Sequence, residues 1–252
     1  MGTEPEPGAD RPAFVDTDLR GARFVRADLS GAVMRGGFLD GADLDAPWLT
    51  TLLVNGVDVV PLVEAELDRR WPGRELRHAS DPEGLRRAWA AVETAWQQAV
   101  DRVVAMPEGS VDAGVDGEWS FAQTVRHLVM ATDTWLRRGV LGMSFEEAYH
   151  PAGLPNVEYA SDGYDLSYFS AADPTWDEVL VARAGRQAMM RDVLAGVTPA
   201  DLDAPRRHPW APEVELSVRE CLHTVLGEEW SHLRYAVRDL DALAAGRGSA
   251  AP

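Results

Sequence analysis

The chain has 252 residues, and its hydrophobic content of 46% is ordinary for a globular protein. This length can hold one large domain, or one domain with a small appendage. With 41 acidic against 24 basic residues the formal net charge is −17, which argues against nucleic acid and against an anionic membrane surface as partners.

Residues 12 to 45 place an apolar residue at every fifth position, a period that fits neither a helix nor a strand. The central residues of the seven repeats are Phe14, Leu19, Phe24, Leu29, Met34, Leu39 and Leu44. The pattern resembles the pentapeptide repeat, a right-handed β-helix in which the apolar residue fills the axis. Seven repeats make fewer than two coils, so we expect this segment to pack on another element, as a cap or docking surface.

From about residue 59 onward the apolar spacing becomes helical. A short amphipathic helix is predicted from Val59 to Arg70, followed by four helices of roughly 20 residues or more. These begin at Asp81-Pro82, after Ser120, at Asp173-Pro174 and after Ser217, and they end before Pro107, near Gly139, at Gly196 and near Ala244. Because no convincing strand pattern follows residue 60, the chain is predicted to be mainly α, with a four-helix bundle.

The predicted elements divide the chain into four parts. They are a flexible N-terminus over residues 1–11, the repeat coil over 12–48, the helical bundle over 49–246 and a flexible tail over 247–252. The connection over residues 141–172 is long, and a connection of this kind is expected to cross the end of the bundle and wall a pocket.

A carboxylate and a histidine lie one helical turn apart on the last predicted helix. Glu228 and His232, at positions i and i+4, share a helix face and interrupt its apolar stripe. A charged group aimed at a core needs a partner, and a metal ion is an adequate one. His127, at the edge of another apolar stripe, is the third candidate ligand, and three ligands leave coordination positions open. The alternatives are a hydrogen-bonded core histidine and a surface salt-bridge ladder.

These residues also carry a resemblance to a known family. Trp119-Ser120 followed by His127, and then the pair on the last helix, resembles the DinB-like superfamily of four-helix bundle proteins over about residues 50 to 245. The chain is similar to the actinobacterial branch, which carries pentapeptide repeats in front. The usual pattern has three histidines, and here Glu228 occupies one of their positions. A carboxylate is an acceptable ligand for zinc, nickel, iron or manganese.

The resemblance implies thiol chemistry. Members of the superfamily are metal-dependent S-transferases that use a low-molecular-weight thiol, which is mycothiol in actinobacteria, and others are thiol-dependent isomerases. The implied function is transfer of a mycothiol-type thiol to a small electrophilic substrate. The alternatives are a metal-dependent isomerase or hydrolase of the same fold, and a non-catalytic bundle that uses the coil for association. Glu228 in place of a histidine favours the non-catalytic alternative.

Other side chains near the candidate site have weaker assignments. Arg234 and Arg238 could bind a carboxylate of the thiol cofactor, although a surface ion pair is the alternative. Trp119 could wall the pocket or belong to the core, and Glu229 could accept a hydrogen bond from a ligand histidine or be exposed. Cys221 is predicted to fill the core rather than to act as a nucleophile. No catalytic residue is predicted beyond the metal site.

The expected partners and location follow from what the sequence lacks. The single cysteine excludes an intrachain disulfide framework, and the first residues show no signal-peptide pattern. No apolar run approaches the roughly 20 residues that span a bilayer. We therefore expect a cytoplasmic protein whose partners are a small-molecule substrate and a small thiol, and a homodimer is left open.

Overall fold

The computed structural model describes residues 12–25, 27–46, 49–156, 159, 165–170 and 173–246. The chain divides into two compact units between Asp45 and Ala46. The termini predicted to be flexible, residues 1–11 and 247–252, lie outside the described residues.

The first unit is built on turns that recur every second repeat. The backbone N–H groups of Ala22, Ala32 and Ala42 donate to carbonyl groups three residues earlier, at 2.9–3.0 Å. Each turn contains a glycine at positive φ, such as Gly21 at +76°, a conformation that glycine adopts without strain. Over residues 12–25 and 27–46 no paired strand forms. The central apolar side chains are exposed rather than filling an axis, because so short a run of repeats provides few layers to cover them.

The second unit begins with a small hairpin. Strands β1 (Leu53–Val54) and β2 (Val57–Asp58) pair antiparallel. Asn55 and Gly56 connect them with φ values of +51° and +82°, as a two-residue hairpin turn of mirror-image type requires. Helix α1 (Val60–Arg70) follows, and then a 3₁₀ helix (Arg74–His78).

Four long helical segments form most of the second unit. They are α2 (Pro82–Val104), α3 (Phe121–Thr132) continued by a π-helical segment (Asp133–Val140), α5 (Trp176–Gly196) and α7 (Val218–Ala244). The short helices α4 (Phe145–Ala148) and α6 (Pro199–Leu202) lie in the connections.

The helix starts follow local capping chemistry. Asp81, Ser120 and Ser217 each accept a hydrogen bond from a backbone N–H in the first turn, which confirms the predicted starts of α2, α3 and α7. The predicted start of α5 at Asp173-Pro174 is wrong. The helix begins at Trp176, because Thr175 and Glu178 form a reciprocal capping box there.

A second two-stranded ribbon precedes the last helix. Strand β3 (Pro205–Arg207) pairs antiparallel with β4 (Glu215–Ser217). The expectation of no strand after residue 60 is therefore wrong. Strands of three residues are too short to show an alternating pattern in the sequence.

The long helices enclose one hydrophobic core. Helix α2 contacts α5 and α7, and α3 contacts the same two helices, so the four contacts form a closed ring. The core includes large buried side chains such as Trp89, Leu128, Leu222 and Leu226. The mainly α class is confirmed, while the four-helix bundle stays a prediction. Within the described part of the chain no helix is long and apolar enough to cross a membrane.

Candidate metal centre

The three predicted ligands lie on two helices that contact each other. His127 is on α3, and Glu228 and His232 are one turn apart on α7. The capping box at Ser120 fixes the start of α3, and nearly every residue of that helix is buried. The imidazole of His127 therefore points into the protein, towards α7.

The three side chains meet at one carboxylate oxygen. Oε2 of Glu228 lies 3.4 Å from Nε2 of His127 and 3.2 Å from Nε2 of His232. The three ligand atoms lie within 4.8 Å of one another. In the described ranges no other group of three histidine, cysteine or acidic residues could hold a metal ion. One ion could contact all three side chains after small side-chain movements.

The orientation of His127 is set by the backbone of the long connection. Its Nδ1 lies 3.3 Å from the carbonyl oxygen of Leu154. A carbonyl oxygen can only accept, so Nδ1 donates to it, and Nε2 is the nitrogen that faces Glu228. Histidines that bind metal ions are generally held in this way by a second hydrogen bond.

Residues 152–154 of the connection are fastened to α3 beside the site. The guanidinium of Arg126 donates to the carbonyl of Ala152 at 3.1 Å, and the backbone N–H of Leu154 donates to the carbonyl of Arg126 at 3.2 Å. Arg126 also forms an ion pair with Asp173. Residues 152–154 of the 141–172 connection thus lie beside His127, and much of its second half lies outside the described residues.

The charges of the side chains suit a divalent cation. Burial raises the pKa of the Glu228 carboxyl, but hydrogen bonds with His127 and His232 outweigh it and hold the pKa at about 2. Burial lowers the pKa of His232, which favours its neutral imidazole. An ionised carboxylate and neutral imidazoles are the forms that bind metal ions. Two nitrogens and one oxygen form a donor set that zinc, nickel, iron or manganese accepts.

Trp119 covers both histidines. Its ring centroid lies 4.9 Å from that of His127 and 6.2 Å from that of His232, nearly parallel to the latter. The ring is partly exposed, so it closes one side of the site rather than filling the core. A role for Trp119 in binding a cofactor stays a prediction.

The two predicted cofactor-binding arginines lie beyond His232 on α7. Arg238 forms ion pairs with Glu118 at 2.7 Å and with Asp239 at 2.8 Å, as the ion-pair alternative predicts. The guanidinium of Arg234 lies 4.5 Å from the ring centroid of Tyr235. Binding of a thiol by the two arginines stays a prediction.

Glu229 differs from both expectations for it. Its carboxylate is completely buried and accepts two hydrogen bonds from Arg183, at 2.7 and 2.5 Å. It is neither exposed nor bonded to a ligand histidine. The sequence could place an acidic residue here but could not identify its partner, because Arg183 comes from another helix.

Cys221 has the environment of a packing residue. It is fully buried, and burial raises the pKa of its thiol to about 11. A β-carbon built on Gly139 would lie only 3.1 Å from its sulfur, so the thiol packs closely against that glycine. This arrangement agrees with the prediction that Cys221 fills the core.

Comparison with known proteins identifies the family. Residues 62–236 match the family model of the DinB superfamily, and residues 14–46 match the pentapeptide-repeat model in eight copies, one more than the seven expected. No curated protein and no solved structure matches the chain. The first match covers more than half of the chain and includes all three candidate ligands. The chain therefore belongs to the DinB superfamily.

Proposed function

We propose that this member of the DinB superfamily is a metal-dependent enzyme that transfers a low-molecular-weight thiol to a small electrophilic substrate. The observation that carries the proposal is the meeting of two imidazoles and one carboxylate from His127, His232 and Glu228. Three protein ligands leave coordination positions open, which is typical of a catalytic rather than a structural ion. Zinc, nickel, iron or manganese would fit these donors.

The bound ion would supply a lowered pKa for a coordinated thiol, which then is a nucleophilic thiolate at neutral pH. The chain's own residues prepare the site. The carbonyl of Leu154 keeps Nε2 of His127 available, Glu228 contributes a negative charge, and Trp119 excludes water from one side.

The nucleophile has to come from outside the chain. The chain has a single cysteine, and that residue, Cys221, is buried with a raised pKa. A small thiol of the mycothiol type is the co-substrate that this proposal requires. A cytoplasmic location belongs to the same proposal, because a reducing compartment keeps such a thiol available.

The arginines on α7 are the groups proposed to recognise the co-substrate. Arg234 and Arg238 lie on either side of Tyr235, whose ring lies 5.9 Å from that of His232. The two guanidinium groups would bind an anionic group on the thiol, for which Arg238 would exchange its ion pairs with Glu118 and Asp239. Trp119 would pack against its carbon skeleton.

The proposal is tested by conjugation kinetics with metal-loaded protein, using mycothiol or a simpler thiol and a bimane electrophile. We expect thiol-dependent turnover that falls by orders of magnitude in His127→Ala, because losing a ligand removes the stabilisation of the thiolate. Cys221→Ser is the matched control and should be almost unchanged. A folded, metal-loaded protein without thiol-dependent turnover would favour an isomerase or a binding role instead.

A further inference from the structure

Helix α5 provides none of the candidate ligands, yet two of its arginines form buried ion pairs, one with α7 and one with the π-helical segment that continues α3. Arg183 binds Glu229 on α7 through Nη1 and Nη2, at 2.7 and 2.5 Å. Arg186 binds Asp133 through Nε and Nη2, at 2.9 and 3.0 Å. At most 10% of each of these four side chains is exposed.

The acidic residue of each ion pair lies near a candidate ligand in the sequence. Glu229 directly follows Glu228 on α7. Asp133 begins the π-helical segment that continues α3, the helix that carries His127. A pair of hydrogen bonds from one planar guanidinium to one carboxylate, end-on for Arg183 and side-on for Arg186, fixes the angle of the carboxylate as well as its distance. The Arg183–Glu229 pair therefore restricts both the sliding and the rotation of α7, and the Arg186–Asp133 pair does the same at the end of α3, where the π-helical segment begins.

Further contacts hold the partner residues in place. The guanidinium of Arg183 lies 5.8 Å from the ring centroid of Trp96 on α2, and Nε1 of Trp96 donates to the carbonyl oxygen of Glu229 at 3.2 Å. Oδ2 of Asp133 also accepts a hydrogen bond from the backbone N–H of His150 at 2.9 Å. The helical turn after Glu228 is thus held by α2 and α5 together.

We infer that Arg183 and Arg186 are positioning residues that set the relative placement of α3 and α7, so that His127 reaches Glu228 and His232. The inference rests on the proposed metal site. Buried ion pairs are weak evidence for stability, because well-packed apolar residues of similar volume often stabilise a core equally well. Such a pair fixes the angle and the distance between the two helical segments that it joins, whereas an apolar contact sets no direction.

The test replaces a pair by apolar residues and measures binding of Co²⁺ alone, with the full chain. In Arg183→Met/Glu229→Met we expect the dissociation constant for Co²⁺ to rise roughly 10- to 100-fold, as for other groups that orient metal ligands. The visible spectrum of bound Co²⁺ should also change, since it depends on coordination geometry, and thermal stability should stay close to that of the unaltered chain.

The matched control is the Arg191–Glu93 pair, which joins the same helix α5 to α2 at 2.5 Å. Helix α2 carries no candidate ligand, so Arg191→Met/Glu93→Met should leave Co²⁺ affinity and spectrum unchanged.

Arg186→Lys is measured alongside, because it keeps the charge but loses the side-on geometry. It should weaken Co²⁺ binding even if the apolar double variant fails to fold.

The results separate this inference from the function on which it rests. The positioning role alone would be overturned if the unaltered chain binds Co²⁺ and both variants bind it equally well with the same spectrum. The two variants are Arg183→Met/Glu229→Met and Arg186→Lys. Unaltered chain that binds no Co²⁺ would contradict the metal site, and the positioning role with it.

Discussion

Glu228 is the carboxylate of the candidate site, at a position where the sequence resemblance implies a histidine. A carboxylate between two imidazoles adds a negative charge and a hard oxygen donor, and hydrogen bonds keep its pKa at about 2. The residue is therefore ionised at neutral pH and attracts a cation. The substitution changes the donor set but keeps three ligands on the same two helices.

The state of Cys221 gives a direct test at the residue scale. Because burial raises the pKa of its thiol to about 11, the native protein should react with iodoacetamide at pH 7.5 orders of magnitude more slowly than a free thiol, whose pKa is about 8.5. Mass spectrometry of the labelled chain measures this rate. Protein unfolded in guanidinium chloride is the control and should react at the ordinary rate. Rapid labelling of the native chain would show that the thiol is accessible and reactive.

The start of α3 provides a test at the scale of one element. Ser120 accepts a hydrogen bond from the backbone N–H of Gln123, whose side chain bonds back to the backbone of Ser120. Ser120→Ala should lower the free energy of unfolding by about 1 kcal/mol, the usual effect of losing such a cap. Denaturant titration measures the change. Ser120→Thr keeps the hydroxyl oxygen and should lose less stability, and equal losses in both variants would contradict the capping role.

Helix starts were predictable from the sequence where the first capping residue was the one used. Asp81, Ser120 and Ser217 acted as expected, whereas Asp173-Pro174 was predicted to start α5 and the capping box of Thr175 with Glu178 starts it two residues later. The change from α to π geometry at Asp133 leaves no mark on the apolar spacing, so the sequence predicted one uninterrupted helix.

The candidate site was predictable because part of it is local. Glu228 and His232 lie one turn apart in the sequence, so their common direction follows from helix geometry alone. The carbonyl group of Leu154 that orients His127 could not be predicted, since every residue has such a carbonyl. The pairing of Arg183 with Glu229 was missed because it joins two helices far apart in the chain.

At the scale of the whole molecule, a bound ion would join α3 to α7 in the native state only. Metal binding should therefore stabilise the fold by about 2.7 kcal/mol when the free metal is at 100 times its dissociation constant. Thermal unfolding with zinc and with a chelator measures the difference. His232→Ala should show no such effect, and an equal increase in that variant would place the binding elsewhere on the chain.

Self-association of the chain, if it occurs, would involve the apolar side chains of the repeat unit. Its exposed apolar side chains include Phe14, Phe24, Met34, Phe38 and Leu44, and an interface between copies of the chain would bury such groups. The homodimer left open by the sequence stays a prediction, and analytical ultracentrifugation of the full chain decides it.

Elemental analysis of the purified protein tests the central claim most directly. Protein prepared without an affinity tag should contain about one divalent ion per chain, because His127, Glu228 and His232 form one three-ligand site. His232→Ala should lose that ion. A chain that stays free of metal after supplementation with zinc, nickel, iron and manganese would contradict the metal centre and the function proposed from it.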